Sequence, residues 1–277
     1  MNKEKFAMLA KDYDERKIEF PCYVEPKFDG VRVITKVDKT TNEVEYFFRS
    51  GKEVFTLEHL TKPLLSIPSK HDVFWVDGEI IHEKGFMTCV GDVRRKSKQA
   101  PHLEYAVFDM VYENDSRLYI ERKEDLVSDL RGSGDAVIFP IDYVIADDMK
   151  EVKHLKKSFE KQDKNCEGVM IKKNTLYQHK RTWDWMKIKD ELSIDFPIVG
   201  AYEGQGKYDG MLGGVIVENP KTKIQIRVGG GYTDAERDDI WKNLDDYIGK
   251  TAEVKYQYMT PKGSLRHPVY MGVRIDK

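Results

Sequence analysis

Charge of one sign is scarce in this sequence: 46 Lys and Arg stand against 48 Asp and Glu, a formal net charge of -2. That balance excludes a protein that coats a polyanion non-specifically, but not an enzyme that gathers its cations in one cleft. Cysteine is scarce too. The three, Cys22, Cys89 and Cys166, are odd in number and widely spaced, and no two form a Cys-x-x-Cys pair. They support neither a disulfide framework nor a zinc site, and a reducing compartment is the simplest inference. Long apolar runs are missing: nothing approaches the ~18 residues of a membrane span, and Met1-Asn2-Lys3-Glu4-Lys5-Phe6 opens on charge without an apolar signal core. The expectation is a cytoplasmic protein with no membrane partner. No internal repeat or low-complexity tract is seen.

What is present suffices for two domains: 277 residues, 40% of them hydrophobic. Residues 1 to 20 carry a short helical pattern at Phe6, Leu9 and Ala10. From Cys22 to about Phe48 the alternation predicts two strands around the turn Lys39-Thr40-Thr41-Asn42, with Arg49-Ser50-Gly51-Lys52 closing the hairpin. Thr56 is placed to cap a helix running through Leu65, with Leu57, Leu60, Leu64 and Leu65 on one face, ending near Pro68. Strands are expected at Val73 to Ile81, Tyr105 to Val111, Cys166 to Lys172 and Trp183 to Lys189, and helices at Glu121 to Leu130 and Asp148 to Gln162. Near Asp190-Glu191-Leu192-Ser193 the character changes. Five strand-like runs follow (Phe196 to Tyr202, Gly214 to Glu218, Lys223 to Val228, Ala252 to Tyr258, Val269 to Ile275), with one helix, about Thr233 to Tyr247, after the third. That order is the order of an OB-fold barrel. The predicted division is 1–189 and 190–277.

Charged residues inside apolar strands cost free energy unless they are paired or used. Lys27, Glu79, Glu167, Lys187 and Lys189 all occupy such positions. The stretch Val24-Glu25-Pro26-Lys27-Phe28-Asp29-Gly30-Val31-Arg32 is the densest. A lysine placed beside other cations or partly desolvated becomes a candidate nucleophile. Lys187 and Lys189, two apart on a strand, share a face and can clamp a phosphate.

In order, Lys27-Phe28-Asp29-Gly30-Val31-Arg32, Arg49-Ser50-Gly51, Asp77-Gly78-Glu79, Phe108-Asp109, Glu167-Gly168-Val169-Met170, Lys187-Ile188-Lys189 and Arg274-Ile275-Asp276-Lys277 span nearly the whole chain. This ordered set resembles that of the minimal, phage- or virus-type ATP-dependent DNA ligases, members of the covalent nucleotidyltransferase superfamily shared with RNA ligases and mRNA capping enzymes. The resemblance implies an α+β fold of two domains: an adenylyltransferase domain (ATP-grasp-like, antiparallel sheets with helices) and a carboxy-terminal OB-fold β-barrel. It implies that Lys27 carries AMP covalently, with Arg32, Lys187 and Lys189 catalytic. Arg32 and Arg49 would grip the ribose and later the nick phosphate, Glu79 a ribose hydroxyl, and Phe108 would stack on adenine. Arg274, Asp276 and Lys277 would orient the leaving pyrophosphate, and Glu167 and Asp29 would hold Mg²⁺ or Mn²⁺.

A carboxylate at Glu25 accepts from the exocyclic amine of adenine and repels the guanine carbonyl, which favours ATP over GTP. Fewer than 30 residues precede Lys27, which argues against the extra domain of the NAD-dependent ligases. DNA contacts are expected from Arg49 and from the basic run Arg94-Arg95-Lys96-Ser97-Lys98, with Lys3 and Lys5. The expected partners are ATP and nicked duplex DNA, bound by a monomer of the phage or viral type. The alternatives are an RNA ligase or capping-type nucleotidyltransferase and, in another class, a non-catalytic OB-fold nucleic-acid-binding protein.

Overall fold

The computed structural model describes residues 6–133 and 136–274. Two compact units divide between Lys189 and Asp190. The first contains β1 (Leu9–Asp12), β2 (Cys22–Phe28), β3 (Val31–Asp38), β4 (Glu43–Phe48), β5 (Val73–Ile81), β6 (Glu104–Val111), β7 (Ile138–Pro140), β8 (Val144–Ala146), β9 (Cys166–Lys172) and β10 (Arg181–Lys189). Its helices are α1 (Thr61–Leu65), α2 (Phe86–Val93), α3 (Tyr119–Ser133) and α4 (Met149–Gln162). The strands form two five-stranded sheets, ordered β1-β10-β9-β2-β8 and β4-β3-β5-β6-β7. Among the described residues of these two sheets only the edge pairs β1–β10 and β6–β7 are parallel.

Both sheets are covered, so their strands read as apolar runs rather than strict alternation. Phe6, Met8, Ile34, Phe47, Trp75, Val111, Tyr177 and Trp185, drawn from both sheets and the segment before β1, form one buried cluster. The second sheet's other face packs on Leu57, Leu60, Leu64, Cys89, Leu126 and Leu130, and the first sheet's on Val152 of α4. Each such large apolar side chain contributes about 1.5–3 kcal/mol when fully buried.

Three local expectations are corrected. The amino-terminal segment forms a strand, not a helix: Phe6 and Met8 are buried, and the edge of β10 supplies backbone partners from Leu9 onward. Tertiary pairing overrides a weak local pattern there. Cys22 to Phe48 holds three strands, because Asp29 and Gly30 carry the chain from the first sheet into the second. Only glycine fits at that crossing, since a Cβ on Gly30 would lie 2.1 Å from the Ile80 carbonyl oxygen. Thr56 caps no helix. It is buried and donates to the Val93 carbonyl at 3.2 Å, and a 3-10 turn at Glu58–Leu60 leads into the short α1.

The second unit comprises β11 (Leu192–Glu203), β12 (Leu212–Glu218), β13 (Gln225–Val228), α5 (Asp234–Lys242), α6 (Leu244–Tyr247), β14 (Thr251–Tyr256) and β15 (Val269–Val273). The sheet runs β13-β12-β11-β14-β15 with every pair antiparallel. Among the described residues its two edges approach in one parallel bridge, Gly230–Val269, rather than a fully paired closed barrel. The single helix expected at Thr233 to Tyr247 is two. Thr233 caps α5 in a reciprocal box with Glu236. Asn243 then breaks it, donating its side-chain amide to the Asp239 carbonyl at 3.1 Å.

Candidate active site

A cleft of about 800 Å³ lies in the first unit, lined from both sheets and from α2. Lys27 reaches it from the end of β2. Strand β8 pairs with Cys22, Tyr23 and Val24, so beyond Val24 the ladder partner of β2 among the described residues is β9. Pro26, which has no N–H to donate, is tolerated on that bare edge. The Lys27 ammonium forms an ion pair with Oε1 of Glu167 on the neighbouring β9. Gly168 lets β9 pass close to β10: its φ is 154°, and a Cβ there would meet the Ile188 carbonyl oxygen at 2.1 Å. The Glu-Gly pair is therefore one structural device, a carboxylate aimed at Lys27 and a residue without a side chain beside it.

Below the cleft sits a buried charge cluster. Glu25, 1% exposed, takes Lys123 at 2.5 Å and the Tyr119 hydroxyl at 2.6 Å on one oxygen, and Lys172 at 2.6 Å on the other. Burial alone would raise the Glu25 pKa, but the two lysines outweigh it and hold the carboxyl below its ordinary value. Burial, aided by repulsion from Lys123, lowers Lys172 to about 8 against the attraction of Glu25. Lys123 is saturated, donating also to the carbonyls of Phe108 and Ile141 at 2.9 and 2.8 Å. Phe108 lines the cleft, edge-on to Trp185 with ring centroids 5.8 Å apart. Lys172 and Arg32 each lie 5.0 Å from the Phe108 ring centroid.

Arg32 lines the cleft, but its guanidinium fork is engaged: it meets buried Asp77 bidentately at 2.8 and 2.6 Å. Tyr177 donates to the same carboxylate at 2.5 Å and accepts the Met8 amide at 3.0 Å. Desolvation would lower the Arg32 pKa, yet Asp77 raises it well above its ordinary value. Glu79, two residues on from Asp77, faces the cleft. Burial raises its pKa to about 7, helped by Glu167 and Asp29 and opposed by Lys27 and Arg32.

The cleft thus brings together Glu25, Lys27, Arg32, Arg49, Glu79, Phe108 and Lys187, with Glu167 paired to Lys27. Lys187 also lies 3.3 Å from Asp12. Lys189 shares β10 with Lys187 but does not line the cleft. Asp29 is not a lining residue either; its backbone amide donates to the Asn165 carbonyl at 2.7 Å. The basic run divides: Arg94 lines the cleft, Arg95 pairs with Asp92 at 2.6 Å, and Lys96 and Lys98 are exposed on the following loop. Arg274, in the second unit, meets Asp195 at 3.2 Å and Glu253 at 3.4 Å. Lys3, Lys5, Asp276 and Lys277 lie outside the described residues.

Four lining cations or partners escaped the sequence reading: Lys52, Lys172, Arg181 and Trp185. Lys172 carries the same signal as Lys27 and Glu167, a charge closing an apolar strand. Among the described residues no three carboxylates converge within 4.8 Å. Glu167 and Asp29 nevertheless both help to raise the Glu79 pKa. Such hard oxygen donors, too far apart to cage an ion alone, suit Mg²⁺, which keeps water and phosphate among its ligands.

Residues 7–189 match the model of the ATP dependent DNA ligase domain, and residues 203–274 that of the DNA ligase OB-like domain. The chain belongs to the ATP-dependent DNA ligase family. A DNA ligase of enterobacteria phage T4 is 25% identical, over 98% of this chain and 68% of its own length. DNA ligase 1 of Methanosarcina mazei is 26% identical over 91% of this chain, which spans 48% of that relative. A solved structure of a Lig E DNA ligase superposes with a TM-score of 0.78 at 21% identity, covering 96% of this chain and 98% of its own. That likeness is one of fold. Among the described residues no helix is long and apolar enough to cross a membrane.

Proposed function

We propose that this ligase seals 3′-hydroxyl/5′-phosphate nicks in duplex DNA through a covalent lysyl-AMP on Lys27. The observation that carries the reading is the Lys27 amine in a nucleotide-sized cleft, paired with Glu167 and backed by Lys187, Arg49 and Glu79. The Lys27 nitrogen attacks the α-phosphorus of ATP, forming a P–N bond as the bond to pyrophosphate breaks. The ammonium must first lose a proton, and Glu167 is the group that holds it. Lys187 and Arg49 supply positive charge for the phosphoryl oxygens. Glu79 accepts from a ribose hydroxyl and Phe108 stacks on the base, while the Glu25 carboxylate, already engaged by Lys123, Tyr119 and Lys172, holds those groups beneath the base rather than meeting the adenine amine. Glu167 and Asp29 would hold Mg²⁺, which when bound would supply charge neutralisation at the phosphates.

AMP then passes to the 5′-phosphate of the nick, and the 3′-hydroxyl displaces it to form the phosphodiester. In this reading residues 1–189 are the adenylation domain and 190–277 an OB-fold domain, with Arg274 and Lys277 orienting pyrophosphate. Arg49, Arg94, Lys96 and Lys98 are the DNA-facing cations, and the protein works as a cytoplasmic monomer. Incubation with α-labelled ATP and Mg²⁺, without DNA, should label the wild type and leave Lys27→Ala unlabelled. A fully labelled Lys27→Ala would end the reading. Sealing of nicked DNA, but not of a nicked all-RNA duplex, separates it from an RNA ligase.

A further inference from the structure

Outside the cleft, three side chains with metal-ligating atoms come together from separate parts of the first unit. His82 directly follows β5, Asp92 lies in α2, and His102 stands in the loop before β6. One ligand atom of each lies within 4.8 Å of the others. Both histidines address the same carboxylate oxygen, Oδ2 of Asp92: His102 Nε2 at 2.6 Å and His82 Nε2 at 3.7 Å. The imidazole centroids are 4.7 Å apart. His82 and Asp92 are each 4% exposed, whereas His102 is open to solvent. The other oxygen of Asp92 is held by Arg95 at 2.6 Å, an outer partner that orients the carboxylate.

We propose that His82, Asp92 and His102 form a site for a divalent transition metal, Zn²⁺ or a neighbour of similar softness, separate from the Mg²⁺ of the cleft. Two imidazole nitrogens with one carboxylate oxygen favour such an ion over Mg²⁺, which prefers oxygen throughout. Tetrahedral Zn²⁺ sets its ligand atoms roughly 3.3 Å apart. The His82–Asp92 separation is already near that, and the His102–Asp92 hydrogen bond opens by less than an ångström, roughly, to reach it. Exposed His102 gives an entry path, and water completes the coordination.

Ring protonation makes a definite demand. The Lys84 amide donates to His82 Nδ1 at 2.8 Å, so in the metal-free protein the His82 proton resides on Nε2. A metal on Nε2 shifts that proton to Nδ1, and the exposed Glu83-Lys84 turn must swing its amide away. His102 likewise moves its proton to Nδ1, so both rings stay neutral. The ion would then pin α2, whose Phe86 and Val90 line the cleft together with the following Arg94, to the end of β5.

The test uses the full chain, stripped with chelator and titrated with Zn²⁺ alone against a competing zinc indicator, in excess Mg²⁺. One equivalent should bind with submicromolar affinity, the Lys84 amide resonance should shift as it binds, and His102→Ala should weaken binding at least about tenfold. Because His102 is exposed, that variant leaves the fold intact, and Asp92→Asn gives a second reading. Equal affinity in wild type and His102→Ala, or a Lys84 resonance that ignores zinc, overturns the site.

Discussion

Asp77→Ala tests how the cleft is braced. Asp77 is fully buried and receives three hydrogen bonds: two from Arg32, at 2.8 and 2.6 Å, and one from Tyr177, at 2.5 Å. Removing the carboxylate leaves a largely buried guanidinium without its counter-charge and a buried hydroxyl without its acceptor. Breaking one partner of a buried ion pair costs about 3–5 kcal/mol. At about 2–4 °C per kcal/mol for a protein of this size, the first unit should melt about 6–20 °C lower. Urea unfolding followed by fluorescence reports on this, since Trp75, Trp183 and Trp185 all belong to that unit. The double variant Asp77→Ala/Arg32→Met removes the stranded charge as well. It should be more stable than the sum of the two single effects predicts, by at least about 1 kcal/mol. A loss below about 1 kcal/mol in Asp77→Ala, or strict additivity in the double variant, would refute the idea that this pair is a coupled support.

Glu79 makes stability depend on pH. Its folded pKa of about 7 is raised from 4.5, so the folded state holds the proton more tightly than the unfolded chain. That contribution is fully present below about pH 4.5 and is lost as pH rises through 7. Linkage puts it at no more than about 3 kcal/mol. Glu79→Gln should lose this slope, so identical urea midpoint shifts between pH 5 and 8 in both proteins would count against it. Gly168→Ala combines an unfavourable φ with a backbone collision and should cost about 2–6 kcal/mol while misplacing Glu167; wild-type stability and wild-type ATP labelling together would contradict the geometry. Thr233→Ala removes the cap of α5 and should cost about 1 kcal/mol. Trp241, within that helix, should sense the change, and an unaltered unfolding midpoint would rule the cap out as a contributor.

Long elements were legible in the sequence where apolar residues repeat over seven or more positions, as in β5, β6, β9 and α4. The three-residue β7 and β8 carry no period to read, and β1 takes its conformation from β10 rather than from its own residues. Charges in apolar strands singled out Lys27, Glu79 and Glu167, and the fold brings Lys27 and Glu79 to one cleft with Glu167 paired to Lys27. The same test applied to Lys172 would have found the second lysine on Glu25. What periodicity cannot convey is direction. Arg94 and Arg95 are adjacent, yet one lines the cleft and the other turns to Asp92. Arg32 reads as a ligand of the ribose and the nick phosphate, and nothing in its spacing shows that its fork closes on Asp77. His82, Asp92 and His102 have no helical or strand spacing in common, and only the packing of α2 against β5 unites them.

The parallel pairing of β1 with β10 has a consequence for biosynthesis. Leu9 pairs with Arg181, and Glu25 with Met170 of β9, so the beginning of the chain waits for partners made near the end of the first unit. At ribosomal speeds of about 5–20 residues per second that wait is roughly 10–30 s. During it Phe6, Met8 and Trp75 have no finished core to enter, and contacts so distant in sequence form slowly. The surroundings of Lys27 are therefore among the last parts of the first unit to assemble, and a chain interrupted before β9 would expose apolar strands with no cleft to show for them.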